Sequence, residues 1–431
     1  MSIKKISSGL FLVKMVRALG SILLLVLMAR FFGSDLTRDA YVLALGWGTV
    51  LGMILYGPVN EVVRAEFVHQ KNRFGEIQAL ASFRSLVGSM IGMGILGGAV
   101  LLVLVHTRVL NLVPGYDAAA FDVFSQMILI TLPLFLLNQL TSAWSSLLNA
   151  YGFYYYPDFF GTLSTVLQIA LMILFRDRLG VLSLVLAAYL ANIAFVLALG
   201  YRLLKSTPYR RAKFHLLNPQ AWVYFRLGFP FYASYVIAQG ASAVERILLT
   251  QIGIGAASNL DYARKFSDFP TGVFMAVIAS VLVPRFAELH SAGKKADLRK
   301  QFMKFFVYSF SLMTGLALFL FFFAAPILKI LFGQGRLSPQ DQEIVARTVA
   351  IGAIGLPGIL LYTLSGQSWV AMRRPGIFAW AGSISATLGV AIAWMTYQSM
   401  GAPAFLLGWS AAHWMGGVVL FVLLLKELNK R

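Results

Sequence analysis

The segment NLDYARKFSDFPTGVF, residues 259–274, carries four ionisable side chains at the beginning of an apolar stretch that is long enough to cross a membrane. They are Asp261, Arg264, Lys265 and Asp268. An ionisable group at the centre of a bilayer costs roughly 2.5–3.5 kcal/mol on insertion scales, so such groups within a span face a cavity or a partner. The segment therefore predicts a membrane helix with a functional polar face.

The rest of the chain has the composition of a membrane protein. Its 431 residues are 59% hydrophobic and 12% charged, with a mean hydropathy of +0.76, whereas soluble domains have about 25% charged residues. Apolar runs of about 20 residues or more recur, and each can span roughly 30 Å of hydrocarbon. The composition predicts an all-α, polytopic membrane protein.

About 12 transmembrane helices are predicted, in two six-helix lobes. The first six lie near 8–32, 39–60, 82–105, 123–149, 159–176 and 179–204, and the second six lie near 224–252, 262–287, 302–324, 343–370, 376–398 and 402–425. Residues 205–222 are basic and broken by Pro208 and Pro219, as is typical of a linker. The predicted domains are therefore residues 1–204, the linker 205–222 and residues 223–431.

The distribution of charge orients these helices. The net charge of +19 would suggest a nucleic-acid partner for a soluble chain. Here one set of alternate loops and termini holds 22 basic residues and the opposite set holds six, which is the pattern that cytoplasmic loops produce. We therefore expect both termini and the linker to be cytoplasmic, and no nucleic-acid partner. Because Cys is absent and the five His are scattered, we expect neither a metal nor a cofactor.

Two pairs of similar segments indicate that a six-helix unit is duplicated. GSDLTRDAY (33–41) resembles GAASNLDYA (255–263), and LPLFLLNQLT (132–141) resembles LPGILLYTLS (356–365). The offset of the first pair, measured from Asp39 to Asp261, is 222 residues, and that of the second is 224. Because six is an even number, the lobes would form a parallel repeat, as in some transporters that work by alternating access.

Ionisable residues within the predicted spans are the candidates for a binding site. They share helix faces or helix ends: Lys14 and Arg17, Asp39, Arg64, Glu245 and Arg246, and Asp261, Arg264, Lys265 and Asp268. Cationic groups on several helices suit an anionic headgroup, and the planar Arg side chain is well shaped for phosphate. The pattern favours a transporter of an anionic substrate.

Structural roles for the same residues remain open. Lys14 could extend to the membrane surface, and Glu245 could neutralise Arg246 or another neighbour. Glu61 and Arg64 could form an interfacial ion pair. Asp39 and Asp261 follow short loops, where Asp is favoured as a helix cap.

Three motifs resemble the MurJ (MviN) lipid II flippases of the MOP exporter superfamily. DYARKFSDFPTGVF (261–274), continued by VLVPRFAELHSAG (281–293), resembles the signature of that family's eighth helix. KMVRALG (14–20) with ARFFGSDLTRDAYVLA (29–44) resembles its first helix and the following loop. LNAYGFYYYP (148–157) is similar to a third family segment.

The resemblance implies a flippase that binds an undecaprenyl-diphosphate-linked saccharide in a central cationic cavity. Family positions map onto Arg17, Lys265 and Asp39, and the diphosphate would meet Arg264 and Lys265 while Asp261 and Asp268 orient them. It also implies the bacterial cytoplasmic membrane, with proteins of cell-wall or polysaccharide synthesis as partners besides the lipid bilayer.

The chain departs from the family pattern at several places. Apolar residues replace an Arg-Asp pair around Leu23–Leu25, and a basic pair is missing near Tyr56–Asn60, although Arg64 lies close. The family typically has fourteen helices, and twelve are typical of the similar Wzx-type flippases of surface polysaccharides. A related lipid-linked oligosaccharide is therefore an alternative to lipid II.

Two other functions compete with this interpretation. A cation-coupled multidrug exporter of the same superfamily commonly has an acidic residue in its first helix, which here carries Lys14, Arg17 and Arg30 and no carboxylate. A membrane glycosyltransferase or polymerase of polysaccharide synthesis would need a large extramembrane loop or a cluster of catalytic carboxylates, and neither is evident.

Overall fold

The structure, a computed structural model, describes residues 3–215, 218–278 and 282–429, which contain no β-strand. The all-α class is therefore confirmed for this part of the chain. Its α-helices are α1 (Ile3–Phe32), α2 (Leu36–Phe74), α3 (Glu76–His106), α4 (Ala118–Thr131), α5 (Leu134–Ala150), α6 (Tyr155–Leu179), α7 (Leu182–Ser206), α8 (Pro219–Gly228), α9 (Tyr232–Ile252), α10 (Ala256–Val277), α11 (Val283–Ser291), α12 (Lys295–Phe332), α13 (Pro339–Ile354), α14 (Leu356–Ala371), α15 (Pro375–Met400) and α16 (Pro403–Asn429).

Most of the long helices can cross a membrane. Within the described ranges, eight single helices and the α4–α5 segment Ala118–Ala150 are long and apolar enough to do so, and the pair α13–α14, bent by 42°, makes a tenth. The polytopic membrane architecture is thereby confirmed. Two further predicted spans fall on α9 and α10, which are helical but more polar, since α10 carries the four ionisable residues of the opening segment.

Several helices extend well beyond their predicted ends. The second span was predicted at residues 39–60, whereas α2 has 39 residues and ends at Phe74. The ninth was predicted at residues 302–324, whereas α12 has 38 residues. Hydropathy marks only the part of a helix that matches the hydrocarbon, and the polar continuation of the helix carries no such signal.

Two predicted spans are broken into pairs of helices. The span predicted at 123–149 divides into α4 and α5, with Pro133 at the start of α5. The span predicted at 343–370 divides at Gly355, and Pro357 lies in the first turn of α14. Proline has no N–H to donate and is tolerated at the first turn of a helix. Both prolines belong to the repeated Leu-Pro motif, so the two copies of that motif begin equivalent second helices.

The seventh and eighth predicted spans also need correction. A short 3-10 turn at Phe229–Phe231 separates α8 from α9, so the segment predicted at 224–252 is not one helix. The helix predicted at 262–287 begins six residues earlier, at Ala256, and the end of the predicted range falls within α11. Residues 279–281 of that prediction lie outside the described residues.

The chain divides into two compact units. The C-terminal unit comprises Met1–Phe11, Ser21–Asp39 and Gly240–Arg431, and the N-terminal unit comprises Leu12–Gly20 and Ala40–Gln239. The N-terminal unit has a core of α2, α3, α5 and α7 side chains that includes Phe67, Phe83 and Leu147. The C-terminal unit has a separate core that includes Phe302 and Leu420. The domain boundaries expected from the linker stay a prediction.

Candidate functional site

Asp39 stabilises the start of α10 within the C-terminal unit. Its buried carboxylate accepts hydrogen bonds from the backbone N–H of Gly255 at 2.6 Å and of Ser258 at 2.8 Å. Gly255 lies just before α10 and Ser258 lies in its first turn, where a helix has unsatisfied N–H donors and a partial positive charge. Gly255 has φ +94°, a conformation that favours glycine. Asp39 therefore acts as a cap for a helix distant in sequence.

A second contact in the C-terminal unit joins the same segments. The Nη2 atom of Arg38 lies 2.8 Å from Oδ2 of Asp261, and the Arg38 side chain is only 1% exposed. The Arg38 guanidinium also lies 5.3 Å from the centre of the Tyr262 ring. The Tyr262 hydroxyl donates to the Gly33 carbonyl. These bonds connect residues 33–41 with residues 255–263, the two copies of the first repeated motif.

Sequence reasoning missed Arg38. It was counted only as one of the few basic residues in the outer loops, and Asp261 was expected to orient Arg264. The available signal was the repeat itself, because Asp39 and Asp261 are equivalent positions and Arg38 adjoins the first of them.

Arg264 forms a two-pronged ion pair with Glu245. Nη1 of Arg264 lies 2.8 Å from Oε1 of Glu245, and Nη2 lies 2.8 Å from Oε2. The Arg264 and Glu245 side chains are 31% and 15% exposed. Such bidentate geometry is among the strongest hydrogen-bonding arrangements in proteins. The open question about Glu245 is answered by this contact: its partner is Arg264, while Arg246 donates to the carbonyl and hydroxyl of Ser242.

Lys265 and Asp268 lie on the exposed surface of α10. They are three positions apart in the sequence, so they share one helix face. In the part of the chain that the structure describes, no carboxylate lies within 4.0 Å of the Lys265 ammonium. Lys265 is therefore a cation of α10 that is not held in an ion pair.

In the N-terminal unit, the two candidate cations of α1 contact α6. The Lys14 ammonium is 3.9 Å from Oδ2 of Asp158, and its side chain is 49% exposed. Arg17 lies over Gly161, where an added Cβ would come within 2.9 Å of its Nη1 atom. Glycine at position 161 therefore leaves the space that the guanidinium occupies.

Arg64 lies on the same unit, near an aromatic turn. Its guanidinium is 5.4 Å from the centre of the Tyr154 ring. Glu61 accepts a hydrogen bond of 2.7 Å from the Tyr235 hydroxyl, and a Glu61–Arg64 ion pair does not occur among the described residues. The interfacial pair considered from the sequence is thus replaced by two separate aromatic contacts.

These groups define what the site can do chemically. Several cations have accessible polar surface, notably Lys14, Arg17 and Lys265. No cluster of His, Asp or Glu in the described ranges could hold a metal ion. Guanidinium and ammonium groups donate strong hydrogen bonds to phosphate, so the exposed cations of each unit suit an anionic ligand.

The fold is shared with solved transporters, one of which belongs to the MOP superfamily. A multidrug resistance MATE family transporter of that superfamily, in an inward-facing conformation, aligns with a TM-score of 0.76 at 12% identity, over 95% of this chain and 98% of that one. A lipid II flippase MurJ in an inward closed conformation aligns with a TM-score of 0.81 at 18% identity, over 98% of this chain and 87% of that one.

The sequence identifies the family within that class. The model of the lipid II flippase MurJ family matches residues 28–431. The chain belongs to this family. Similar relatives include the probable lipid II flippase MurJ of Borreliella burgdorferi, which is 24% identical over 92% of this chain and 78% of its own length. The probable lipid II flippase MurJ of Helicobacter pylori is 22% identical over 93% of this chain and 90% of its own length.

Family membership confirms the resemblance found in the sequence motifs. The protein is a transporter of the flippase family rather than an enzyme. It is a multi-pass protein of the bacterial inner membrane, in a family that serves peptidoglycan synthesis.

Proposed function

We propose that this protein carries lipid II, an undecaprenyl-diphosphate-linked saccharide, from the cytoplasmic to the outer leaflet by alternating access. The observation that carries this proposal is the family match over residues 28–431. The charges agree with it, because the diphosphate is anionic and each unit has exposed cations on its helices.

We assign the substrate-binding roles within each unit. In the C-terminal unit, Lys265 contacts the diphosphate directly, since it is exposed and no carboxylate of the described ranges holds it. Arg264 is shared between the substrate and Glu245. In the N-terminal unit, Lys14, Arg17 and Arg64 supply the cations. Asp39 and Asp261 act indirectly, through the start of α10 and through Arg38.

The test is a transport assay in bacterial cells depleted of their own lipid II flippase. The fraction of lipid II that a membrane-impermeant reagent can modify from outside the spheroplast is measured with and without this protein. We expect expression to restore the accessible fraction. If the fraction stays at the depleted level while a surface-polysaccharide precursor becomes accessible, the substrate is the related lipid-linked oligosaccharide.

A multidrug exporter is the second candidate, because the MATE transporter aligns over almost its whole length. At 12% identity this similarity shows the fold alone. The described first helix, α1, contains no carboxylate with which to bind a cation. Efflux of a cationic dye from the same cells distinguishes the two functions, and we expect no efflux above the background of cells without the protein.

We also propose that both termini and the linker at residues 205–222 are cytoplasmic. The support is the bias of 22 basic residues to six between alternate loops. The chain has no Cys, so single cysteines can be introduced without removing native ones. A cysteine at Lys213 should react with an impermeant maleimide only after the membrane is permeabilised. Labelling of that position in intact spheroplasts would contradict the orientation.

A further inference from the structure

The linker is held on the N-terminal unit by several hydrogen bonds. Arg84 donates hydrogen bonds to the carbonyls of Ala212 and Tyr209. The backbone N–H of His215 donates to the Ser85 hydroxyl at 3.2 Å. Gln70 donates to the Gln220 carbonyl at 3.1 Å. Contacts on both sides of residues 216 and 217, which lie outside the described residues, therefore hold the linker on α2 and α3.

The helix α8 that follows has one face packed into the same unit. Ala221, Tyr224 and Gly228 form this buried face. An added Cβ at Gly228 would come within 2.8 Å of the Pro58 carbonyl oxygen. Burial, with a contribution from the nearby Glu66 carboxylate, raises the pKa of the Tyr224 phenol. This face therefore fixes the orientation of α8.

The opposite face of α8 is apolar, aromatic and exposed. Trp222 on this face is 53% exposed, and Phe229, in the 3-10 turn that follows α8, is 73% exposed. A surface groove of about 560 Å³ is lined by Pro219, Trp222, Val223, Phe225, Arg226 and Phe229. Arg226 is the charged group among these lining residues, so the groove combines an apolar wall with one cation.

Basic residues precede this groove in the sequence. Arg210, Arg211 and Lys213 are all exposed. The sequence from Lys205 to Phe229 contains five basic residues and no carboxylate. A surface with aromatic rings, cations and no acidic group is complementary to the headgroup region of an anionic leaflet, where aromatic rings lie at the interface and cations meet phosphates.

We propose that this linker surface, formed by Arg210, Arg211, Lys213 and the exposed face of α8, binds anionic phospholipids of the bilayer. The aromatic rings enter the boundary between headgroups and acyl chains. Arg226 contacts the phosphate of a lipid in the groove, and the basic run contacts neighbouring headgroups. Because the linker is hydrogen-bonded to α2 and α3, the surface is presented in a fixed orientation and loses little conformational entropy on binding.

The test uses the full-length protein in nanodiscs of phosphatidylcholine mixed with phosphatidylglycerol. Two samples are compared, one with bromine on the acyl chains of phosphatidylcholine and one with bromine on those of phosphatidylglycerol. The quenching of Trp222 fluorescence is the difference between the wild type and Trp222→Phe. We expect stronger quenching by the brominated phosphatidylglycerol. An Arg226→Gln variant should lose this preference, with the local enrichment of the anionic lipid falling about fivefold for each charge removed, and Arg226→Lys should retain most of it.

A matched control separates this surface from general charge attraction. The variant Arg210→Gln, Arg211→Gln, Lys213→Gln loses three charges from the linker surface. The control variant Arg299→Gln, Lys300→Gln, Lys304→Gln loses three exposed charges from the start of α12. We expect only the linker variant to lose the preference. Equal quenching by both lipids in the wild type, or equal losses in both triple variants, would overturn the proposal. It would also be overturned if only a polyprenyl diphosphate displaced the bound phosphatidylglycerol, because the surface would then be specific for that lipid.

Discussion

The charged residues of the two units differ in how they are held. In the C-terminal unit, Arg264 and Glu245 form a bidentate pair at 2.8 Å, and Asp39 is buried against two backbone donors. In the N-terminal unit, Lys14 is 49% exposed and 3.9 Å from its carboxylate. Arg264, Glu245 and Asp39 of the C-terminal unit are therefore held by close contacts, whereas Lys14 and Arg17 of the N-terminal unit are exposed.

This difference separates charges that build the protein from charges that can bind a substrate. A cation already in a bidentate pair must give up part of that contact before it can bind a phosphate. A half-exposed cation with a longer contact, such as Lys14 at 3.9 Å from Asp158, gives up less. We therefore expect substitutions in the C-terminal pairs to lower stability most, and substitutions of the exposed cations to lower transport with little change in stability.

The largest effect is expected for Asp39→Ala. It removes two hydrogen bonds to a charged acceptor, each worth about 1.5–3 kcal/mol, from a buried site at the start of α10. Thermal unfolding in detergent should show a loss of about 3 kcal/mol or more. Asp35→Ala is the matched control, because Asp35 is exposed and accepts one hydrogen bond from the backbone of Arg38 at 2.8 Å; it should cost about 1 kcal/mol. Equal losses would mean that burial of the Asp39 cap is unimportant.

A smaller loss is expected when the Arg264–Glu245 pair is broken. Glu245→Gln leaves the guanidinium without its carboxylate and should lower the free energy of unfolding by about 1.5–3 kcal/mol. A double-mutant cycle with Arg264→Gln isolates the coupling between the two side chains. The control pair is Arg285–Glu288, which is 2.7 Å apart but 47% and 67% exposed, and whose coupling should be at most about 1 kcal/mol. If the two cycles give the same coupling, the partial burial of Arg264 does not strengthen its pair.

The sequence predicted which helices carry the charged residues, but not which side chains contact one another. The ionisable residues of α10 could be placed together on one helix because hydropathy and charge are local properties of the chain. The contact between Arg38 and Asp261 joins positions 223 apart in sequence, and periodicity carries no information about such a partner. The breaks at Pro133 and Gly355 were missed for a different reason. A proline in or near such a segment is compatible with either a kink or the start of a new helix.

Among the exposed cations, Arg17 should have the larger effect on transport. Losing one charge-assisted contact of about 1.5–3 kcal/mol weakens binding roughly tenfold or more, so Arg17→Gln should raise the lipid II concentration needed for half-maximal transport in vesicles by that factor. The free energy of unfolding should fall by less than it does for Glu245→Gln, because Arg17 is exposed. The control is Arg30→Gln on the same helix, where an exposed guanidinium donates to Gln334 at 3.2 Å. Equal loss of transport in both variants would indicate general charge rather than a specific contact.

The smallest effect is expected for Arg64, whose contact with Tyr154 is an exposed cation–π interaction worth about 0.5–1 kcal/mol. Arg202 provides the comparison within the same unit, since its guanidinium lies 4.3 Å from the Phe153 ring and 5.5 Å from the Tyr156 ring. Because Arg202 is half-buried between two rings, Arg202→Gln should cost about 2 kcal/mol in unfolding.

Transport separates these two arginines further. If Arg64 belongs with the exposed cations that bind substrate, Arg64→Gln should lower apparent substrate affinity more than stability, and Arg202→Gln should do the reverse. Both quantities are measured on the same purified variants, by thermal unfolding in detergent and by transport in vesicles. If the change in substrate affinity relative to the change in stability were equal for both variants, Arg64 would not be a substrate-binding residue. It would then belong with Lys71 and Arg202, which contact the aromatic rings of residues 151–156.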